Sequence, residues 1–77
     1  MTDVTLYTST TCPYCHAAKS LLTQRGLSFT EIDITTNEAA RAEALTRSQR
    51  RTVPQIFFGE QHIGGFDDLQ AWFAQER

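Results

Sequence analysis

Two short β-prone runs separated by a helical segment constrain the fold of this chain more than any other feature of its sequence. The runs lie at residues 4–7 and 29–34. Between them, a helix is expected to begin at residue 11 or 12, with Pro13 at its first position, where the missing N–H removes no helical hydrogen bond. Gly26 is a natural helix terminator. This succession predicts a βαβ unit with parallel strands and a right-handed crossover.

The second half of the chain predicts another helix followed by a hairpin. Thr35 and Asn37 are alternative N-caps for the second helix, because both side chains can accept a hydrogen bond from a free backbone N–H. Residues 53–58 and 61–63 are predicted to be strands joined by a turn at residues 59–60. The two strands are therefore expected to pair in the antiparallel direction.

A final helix is expected to open at Asp67 or Asp68 and to present an apolar stripe to the sheet. The complete order is then β-α-β-α-β-β-α, an α/β architecture. The chain has 77 residues, enough for one small domain, which we expect to cover residues 1–77. The apolar residues expected in the core are Leu21, Leu22, Phe29, Ile32, Ile56, Trp72 and Phe73.

Charge and hydropathy argue against several classes of function. The formal net charge is −2, whereas binding to nucleic acid phosphates requires a clear basic excess. No apolar run approaches the ~18 residues that a transmembrane helix requires. Residues 1–4 show neither the basic nor the apolar part of a signal peptide. We therefore expect a cytoplasmic protein that acts on neither nucleic acid nor membrane.

Residues 12–16, with the sequence CPYCH, carry the clearest chemical signal. A CxxC pair can be a redox dithiol, CxxCH can attach c-type haem, and two cysteines with a histidine can be half of a zinc site. Haem attachment belongs to oxidising compartments, and the only methionine is Met1. A zinc site would need further cysteine or histidine ligands that the sequence does not supply. The favoured interpretation is a redox dithiol with no bound metal, in which His16 is incidental.

The position of Cys12 at the start of a helix makes it the expected nucleophile. Free N–H groups and the positive end of the helix dipole stabilise an anion there, and the thiolate is the form that attacks disulfides. Cys15 lies three residues later on the same face of the first turn. It is therefore the expected resolving cysteine, which attacks a mixed disulfide formed on Cys12.

Three segments of the chain resemble the glutaredoxin family, in particular its short bacterial dithiol type. They are YTSTTCPYC at residues 7–15, RTVPQIF at residues 51–57 and HIGGFDD at residues 62–68. The segments occur in the order that the family shows and are spread over most of the chain. The resemblance implies a thioredoxin-like fold, with a four-stranded mixed sheet flanked by three helices.

The resemblance also implies a binding site for glutathione. In the family, the Val53–Pro54 bond would be cis, and the backbone of Val53 would pair with the cysteinyl backbone of glutathione. The N–H groups of Phe66 and Asp67 would hold the γ-glutamyl carboxylate, and the Asp67 side chain, with Asp68, would meet the ammonium group. The residues of the implied site are Tyr14, Thr52, Val53, Pro54, Gly65, Phe66, Asp67 and Asp68, with Arg50 and Arg51 as further candidates.

Several of these assignments have structural alternatives. The acidic pair at residues 67–68 could be helix caps, and residues 52–54 could be a strand start at which proline is tolerated. Many family members carry a lysine three residues before the first cysteine, facing the glycyl carboxylate of glutathione, where this chain has Ser9. Arg50 or Arg51 could supply the missing charge, or both could form a solvated basic end of the second helix.

The resemblance implies a monomeric, glutathione-dependent thiol–disulfide oxidoreductase. Its expected substrates are protein–glutathione mixed disulfides and protein disulfides, and the family suggests ribonucleotide reductase as one partner. Glutathione is then a co-substrate. Two alternatives are an electron donor reduced by thioredoxin reductase and a carrier of an iron–sulfur cluster held by Cys12 and glutathione. The acidic pair at residues 67–68 favours glutathione, because it suits a zwitterionic γ-glutamyl group.

Overall fold

The computed structural model describes residues 3–75, which form four strands and three helices in the predicted order. The elements are β1 (Val4–Thr8), α1 (Pro13–Gln24), β2 (Thr30–Asp33), α2 (Glu38–Ser48), β3 (Gln55–Phe58), β4 (Gln61–Gly64) and α3 (Phe66–Gln75). Within residues 3–75, none of the helices has the length and apolar character needed to cross a membrane.

The four strands form one mixed sheet in the order β2-β1-β3-β4. Strand β1 pairs with β2 in the parallel direction, so that Tyr7 lies opposite Ile32. Its other edge pairs with β3 in the antiparallel direction, with Tyr7 opposite Gln55. Strands β3 and β4 form an antiparallel hairpin. The βαβ unit and the hairpin predicted from the sequence are both confirmed.

Helices cover both faces of the sheet and divide the core into two clusters. The first cluster lies between the sheet and helices α1 and α3, and its buried members are Val4, Leu6, Ala18, Leu22, Ile56, Leu69 and Phe73. The second lies under α2 and contains Tyr7, Ile34, Ala40, Ala44 and Phe57. Every apolar residue that the sequence placed in the core is either buried in one of these clusters or packed against it.

Helix α1 begins and ends where the sequence predicts. Cys12 is the N-cap, and its sulfur accepts a hydrogen bond from the Cys15 N–H at 3.1 Å. Pro13 occupies the first helical turn. Gly26 follows the helix with φ +73°, a backbone conformation that glycine adopts without a steric penalty. The N-terminus of α1 is thereby placed at the end of β1 that carries Thr8.

Helix α2 is capped by Asn37, the second of the two predicted candidates. The Asn37 side chain accepts a hydrogen bond from the Ala40 N–H at 3.0 Å. The Thr35 hydroxyl instead donates to the Ser9 Oγ at 3.3 Å, and the Thr35 N–H donates to the Asp33 carboxylate at 2.7 Å. Thr35 therefore belongs to the connection after β2 and is not the helix cap.

Helix α3 begins at Phe66, one or two residues before the predicted start. The expected start at Asp67 or Asp68 is therefore slightly late, because both aspartates lie in the first turn of the helix. The Asp68 carboxylate reaches back and accepts a hydrogen bond from the Gly65 N–H at 3.0 Å. One of the free donors at the helix start is thus satisfied from within the helix.

Replacement of Asn37 with alanine is expected to lower the free energy of unfolding by about 1 kcal/mol, because it removes the side-chain cap of α2. Urea denaturation followed by circular dichroism would measure the change. Thr36→Ala, at the exposed position next to Asn37, is the matched control and should have a smaller effect. Equal losses of stability in the two variants would contradict the capping role.

Candidate active site

The Cys12 sulfur lies at the N-terminus of α1, between two backbone groups. It accepts a hydrogen bond from the Cys15 N–H at 3.1 Å, and its thiol donates to the Val53 carbonyl oxygen at 3.6 Å. Both cysteines are free thiols, and Cys12 is partly exposed. The Cys15 N–H is one of the free donors of the helix start, where a negative charge is stabilised. The Cys12 sulfur is therefore accessible at the start of α1, where the nucleophile is expected from the sequence.

Cys15, in contrast to Cys12, is buried. Only 1% of its surface is exposed, and burial is the main reason that the pKa of its thiol is raised to about 12. The hydrogen bond with Cys12 and the charge of Cys12 raise the pKa of Cys15 further, whereas a hydrogen bond with the Ser9 backbone and the charge of Lys19 oppose them. The two cysteines of the motif thus differ sharply in their exposure, since Cys12 is partly exposed and Cys15 is buried.

One groove beside Cys12 brings together the residues of the implied glutathione site. It has a volume of about 160 Å³. Its lining residues are Tyr14, Thr52, Val53, Pro54, Gly65, Phe66, Asp67 and Asp68. Because the Val53 carbonyl also contacts the Cys12 thiol, the Cys12 sulfur lies at the edge of this groove.

Three elements of the fold form the walls of the groove. The segment before β3 contributes residues 52–54, and the Val53–Pro54 peptide bond is cis, as the resemblance implies. The start of α3 contributes the opposite wall. Tyr14 projects from α1 with 62% of its surface exposed. Its ring lies 6.3 Å from that of Phe66, so the two aromatic side chains flank the groove.

The two aspartates of the groove differ in their surroundings. Asp68 accepts hydrogen bonds from the Gly65 N–H at 3.0 Å and from Arg50 at 3.1 Å. The Gly65 hydrogen bond, followed by that of Arg50, holds the pKa of the Asp68 carboxyl below its usual range. Asp67 is exposed and also lines the groove. The Asp68 carboxylate is therefore already engaged by two donors.

The arginines lie around a second cavity that adjoins the groove. This cavity has a volume of about 110 Å³ and shares Thr52 and Val53 with the groove. Arg50, Arg51 and Arg41 all contribute to its lining. Arg41, which donates a hydrogen bond to the Ile34 carbonyl at 3.2 Å, was not identified from the sequence, because it is distant in the chain from the motifs and lies on α2. The three arginines therefore place positive charge around the cavity that adjoins the groove.

The difference between the two thiols can be tested by alkylation. At neutral pH, iodoacetamide is expected to modify Cys12 and leave Cys15 unmodified, because Cys15 is buried and its thiol has a pKa raised to about 12. Peptide mapping by mass spectrometry would identify the modified residue. Denatured protein, in which both thiols react, is the control. Equal labelling of the two cysteines in the folded protein would contradict their assigned environments.

Comparison with known proteins identifies the family. Residues 4–63 match the family model described as Glutaredoxin. Glutaredoxin 3 of Escherichia coli K12 is 58% identical over 75 residues, which cover 97% of this chain and 90% of the relative. A glutaredoxin of Pseudomonas aeruginosa is 46% identical over 71 residues, which cover 92% of this chain and 84% of the relative.

Solved structures show the same fold. The solution structure of a glutaredoxin from Brucella melitensis is 49% identical with a TM-score of 0.84, and the match covers 99% of this chain and 83% of that one. The crystal structure of a buckwheat glutaredoxin–glutathione complex is 30% identical with a TM-score of 0.84, covering 95% and 69% of the two chains. The predicted thioredoxin-like architecture is confirmed.

The comparisons do not favour the two alternative functions raised by the sequence, an electron donor for thioredoxin reductase and a cluster carrier. They agree with the dithiol chemistry indicated by the geometry of Cys12 and Cys15. The chain therefore belongs to the glutaredoxin family and is a glutathione-dependent thiol–disulfide oxidoreductase.

Proposed function

We propose that the chain reduces protein–glutathione mixed disulfides and protein disulfides, with Cys12 as the nucleophile and glutathione as the electron donor. The observation that carries this proposal is the single groove beside the Cys12 sulfur, which contains every residue of the implied glutathione site except the two arginines. Glutathione binding by a buckwheat relative supports it.

The groove suits the chemistry of glutathione along its whole length. Backbone N–H groups at the start of α3 favour the γ-glutamyl carboxylate, and the exposed Asp67 carboxylate suits the adjacent ammonium group. Asp68 plays a different part, because its carboxylate is held by Gly65 and Arg50. The backbone of Val53, next to the Cys12 sulfur, pairs with the cysteinyl residue. The sulfur of a bound glutathionyl group would thus lie beside the nucleophile.

Reduction of a protein–glutathione mixed disulfide requires Cys12 alone. The Cys12 thiolate attacks the glutathione sulfur, the protein thiolate leaves and takes up a proton, and Cys12 now carries glutathione. A second glutathione, as its thiolate, attacks this new disulfide. Glutathione disulfide leaves, and the Cys12 thiolate is restored. Over the whole cycle one free glutathione is oxidised, and it leaves as glutathione disulfide together with the glutathionyl group that the substrate supplied.

Reduction of a protein disulfide also requires Cys15. Cys12 first forms a mixed disulfide with the substrate, and Cys15 then attacks the Cys12 sulfur and releases the second substrate thiol. Formation of the mixed disulfide removes the charge of Cys12, which is one of the causes that raise the pKa of Cys15. The step therefore removes one of the smaller causes of the raised pKa of Cys15, whose main cause is burial. Two glutathiones reduce the resulting Cys12–Cys15 disulfide.

The glycyl carboxylate of glutathione is assigned to Arg51. Ser9 stands where many family members carry a lysine, and its hydroxyl accepts a hydrogen bond from Thr35 at 3.3 Å. Arg50 is paired with Asp68 at 3.1 Å. Arg51 is exposed and lines the cavity that adjoins the groove at Thr52 and Val53. It is therefore better placed than Arg50 to replace the lysine.

The remaining assignments follow the chemistry of the site. Residues 1–77 act as one domain, and the protein functions as a monomer in the cytoplasm, where glutathione is the main thiol reductant. Its partners are glutathionylated proteins and protein disulfides, with ribonucleotide reductase as a candidate substrate. Size-exclusion chromatography with light scattering tests the monomer, and pull-down with Cys15→Ser, which traps mixed disulfides, tests the partners.

Substitution of each cysteine is expected to separate the two reactions. Cys12→Ser should reduce both activities to the uncatalysed rate, because it removes the nucleophile. Cys15→Ser should keep reduction of a glutathionylated peptide and lose reduction of a protein disulfide. Oxidation of NADPH coupled through glutathione reductase measures both reactions. Full activity of Cys12→Ser would overturn the mechanism, and circular dichroism of each variant controls for folding.

Arg51→Ala is expected to raise KM for a glutathionylated peptide by about threefold with little change in kcat, since an exposed ion pair contributes modest binding energy. Adding Ser9→Lys should restore KM, because it returns the positive charge that many relatives have. Arg25→Ala is the matched control, because it also removes one positive charge, at the end of α1 that lies away from Cys12. An unchanged KM in Arg51→Ala would contradict the assignment.

A further inference from the structure

A hydrogen-bonded chain of three side chains leads from β4 to the wall of the groove. His62 Nε2 lies 2.7 Å from Gln55 Oε1. The Gln55 Nε2 then donates to the Thr52 carbonyl oxygen at 3.0 Å and to the Thr52 Oγ1 at 3.1 Å. Thr52 lines the groove. These hydrogen bonds thus connect His62, on strand β4, with a residue of the proposed glutathione site.

The chemistry of these groups fixes the direction of every hydrogen bond. A backbone carbonyl can only accept, so the Gln55 NH2 group, and not its oxygen, must face Thr52. The Gln55 oxygen then faces His62 and can only accept, so His62 must donate from Nε2. Because the NH2 group has two protons, it can donate to both Thr52 oxygens at once. The arrangement admits no amide flip without placing two oxygens in contact.

This direction determines what Thr52 offers to a ligand. Its Oγ1 already accepts a hydrogen bond from the Gln55 amide, so its own hydroxyl proton remains available to donate. A hydroxyl donor in the groove suits a carbonyl or carboxylate oxygen, which the peptide bonds and termini of glutathione supply. We propose that Gln55 is a positioning residue for glutathione: it holds Thr52 as a donor to a ligand oxygen, and His62 orients the Gln55 amide.

Burial restricts the movement of the three hydrogen-bonded side chains. Gln55 is fully buried, with 0% of its surface exposed, and both ends of its amide are paired. A buried amide that lost either partner would retain an unsatisfied polar group, which costs more than the hydrogen bond contributes. The His62 ring also stacks on Phe57, with centroids 4.9 Å apart. The imidazole is thereby held in the plane in which Nε2 points at Gln55.

The electrostatic environment of His62 agrees with a neutral ring. Burial, followed by the positive charge of Arg50, lowers the pKa of His62, and Asp68 opposes them with a smaller effect. A neutral imidazole carries one proton, and the hydrogen bond to Gln55 selects the tautomer with that proton on Nε2. His62 is therefore a hydrogen-bond donor to the Gln55 oxygen.

The inference rests on the proposed function, and the experiment separates the two. Wild-type protein is assayed with a glutathionylated peptide and with the same peptide carrying a cysteine in place of glutathione. The proposed function requires a clear preference for the glutathionylated peptide. Absence of that preference in the wild-type protein would overturn both proposals, whereas a preference that Gln55 substitution leaves intact would overturn only this one.

Gln55→Leu keeps the approximate size of the side chain and removes its hydrogen bonds. It is expected to raise KM for the glutathionylated peptide about tenfold, as loss of one to two hydrogen bonds implies, with kcat within about twofold of wild type. The rate with the cysteinylated peptide should stay unchanged. Gln70→Leu, the same change at an exposed position of α3, is the matched control. Equal losses with both peptides would indicate a merely structural role and overturn the proposal.

A double-mutant cycle tests whether Gln55 acts through Thr52. Thr52→Val alone should raise KM by a similar factor, and the double variant should be no worse than the poorer single variant. If the KM increases of the two single variants multiply in the double variant, the proposal that Gln55 acts through Thr52 would be overturned. His62→Phe, which retains the ring and removes the donor, covers the case in which Gln55→Leu does not fold. It should raise KM for the glutathionylated peptide about threefold, and an unchanged KM would overturn the role of His62.

Discussion

The antiparallel pairing of β1 with β3 is the interaction on which the rest of the site depends. Strand β1 leads into the helix that carries Cys12, and the segment before β3 carries Val53. Because Tyr7 lies opposite Gln55, the loop that leaves one strand meets the segment that enters the other. The 3.6 Å contact between the Cys12 thiol and the Val53 carbonyl follows from this register. A shift of one residue would turn the strand's side chains to the opposite faces.

Most of the fold could be predicted from the sequence, because its strands and helices are separated by residues with strong local preferences. Gly26 and Pro13 mark helix boundaries by backbone geometry alone. The starts of α2 and α3 were harder to predict, since several polar side chains compete for the same free N–H groups. Asn37 competes with Thr35, and the outcome depends on Thr35 binding Ser9, 26 residues away in the chain.

The site, like the fold, contains parts that the sequence predicts and parts that only the structure shows. The lining of the groove follows from three contiguous motifs, so resemblance to the family located it. Pairings between distant residues did not follow. Arg50 and Arg51 are equivalent in the sequence, and only the structure shows that Arg50 reaches Asp68, 18 residues later. Gln55 lies within a recognised motif, but its partner His62 comes from another strand, so its part in orienting Thr52 depended on the pairing of β3 with β4.

The turn before α3 has a consequence for how this protein can evolve. Gly64 has φ +123°, and a Cβ atom at this position would lie 2.7 Å from Cγ of Asp68. Any larger residue would therefore displace the carboxylate that holds both Gly65 and Arg50. Single mutations that survive at this turn should be rare, because a side chain at Gly64 would disturb the pairing of Asp68 with Gly65 and Arg50. The start of α3 thus has little freedom to change one residue at a time, because Gly64, Gly65 and Arg50 all depend on the position of a single carboxylate.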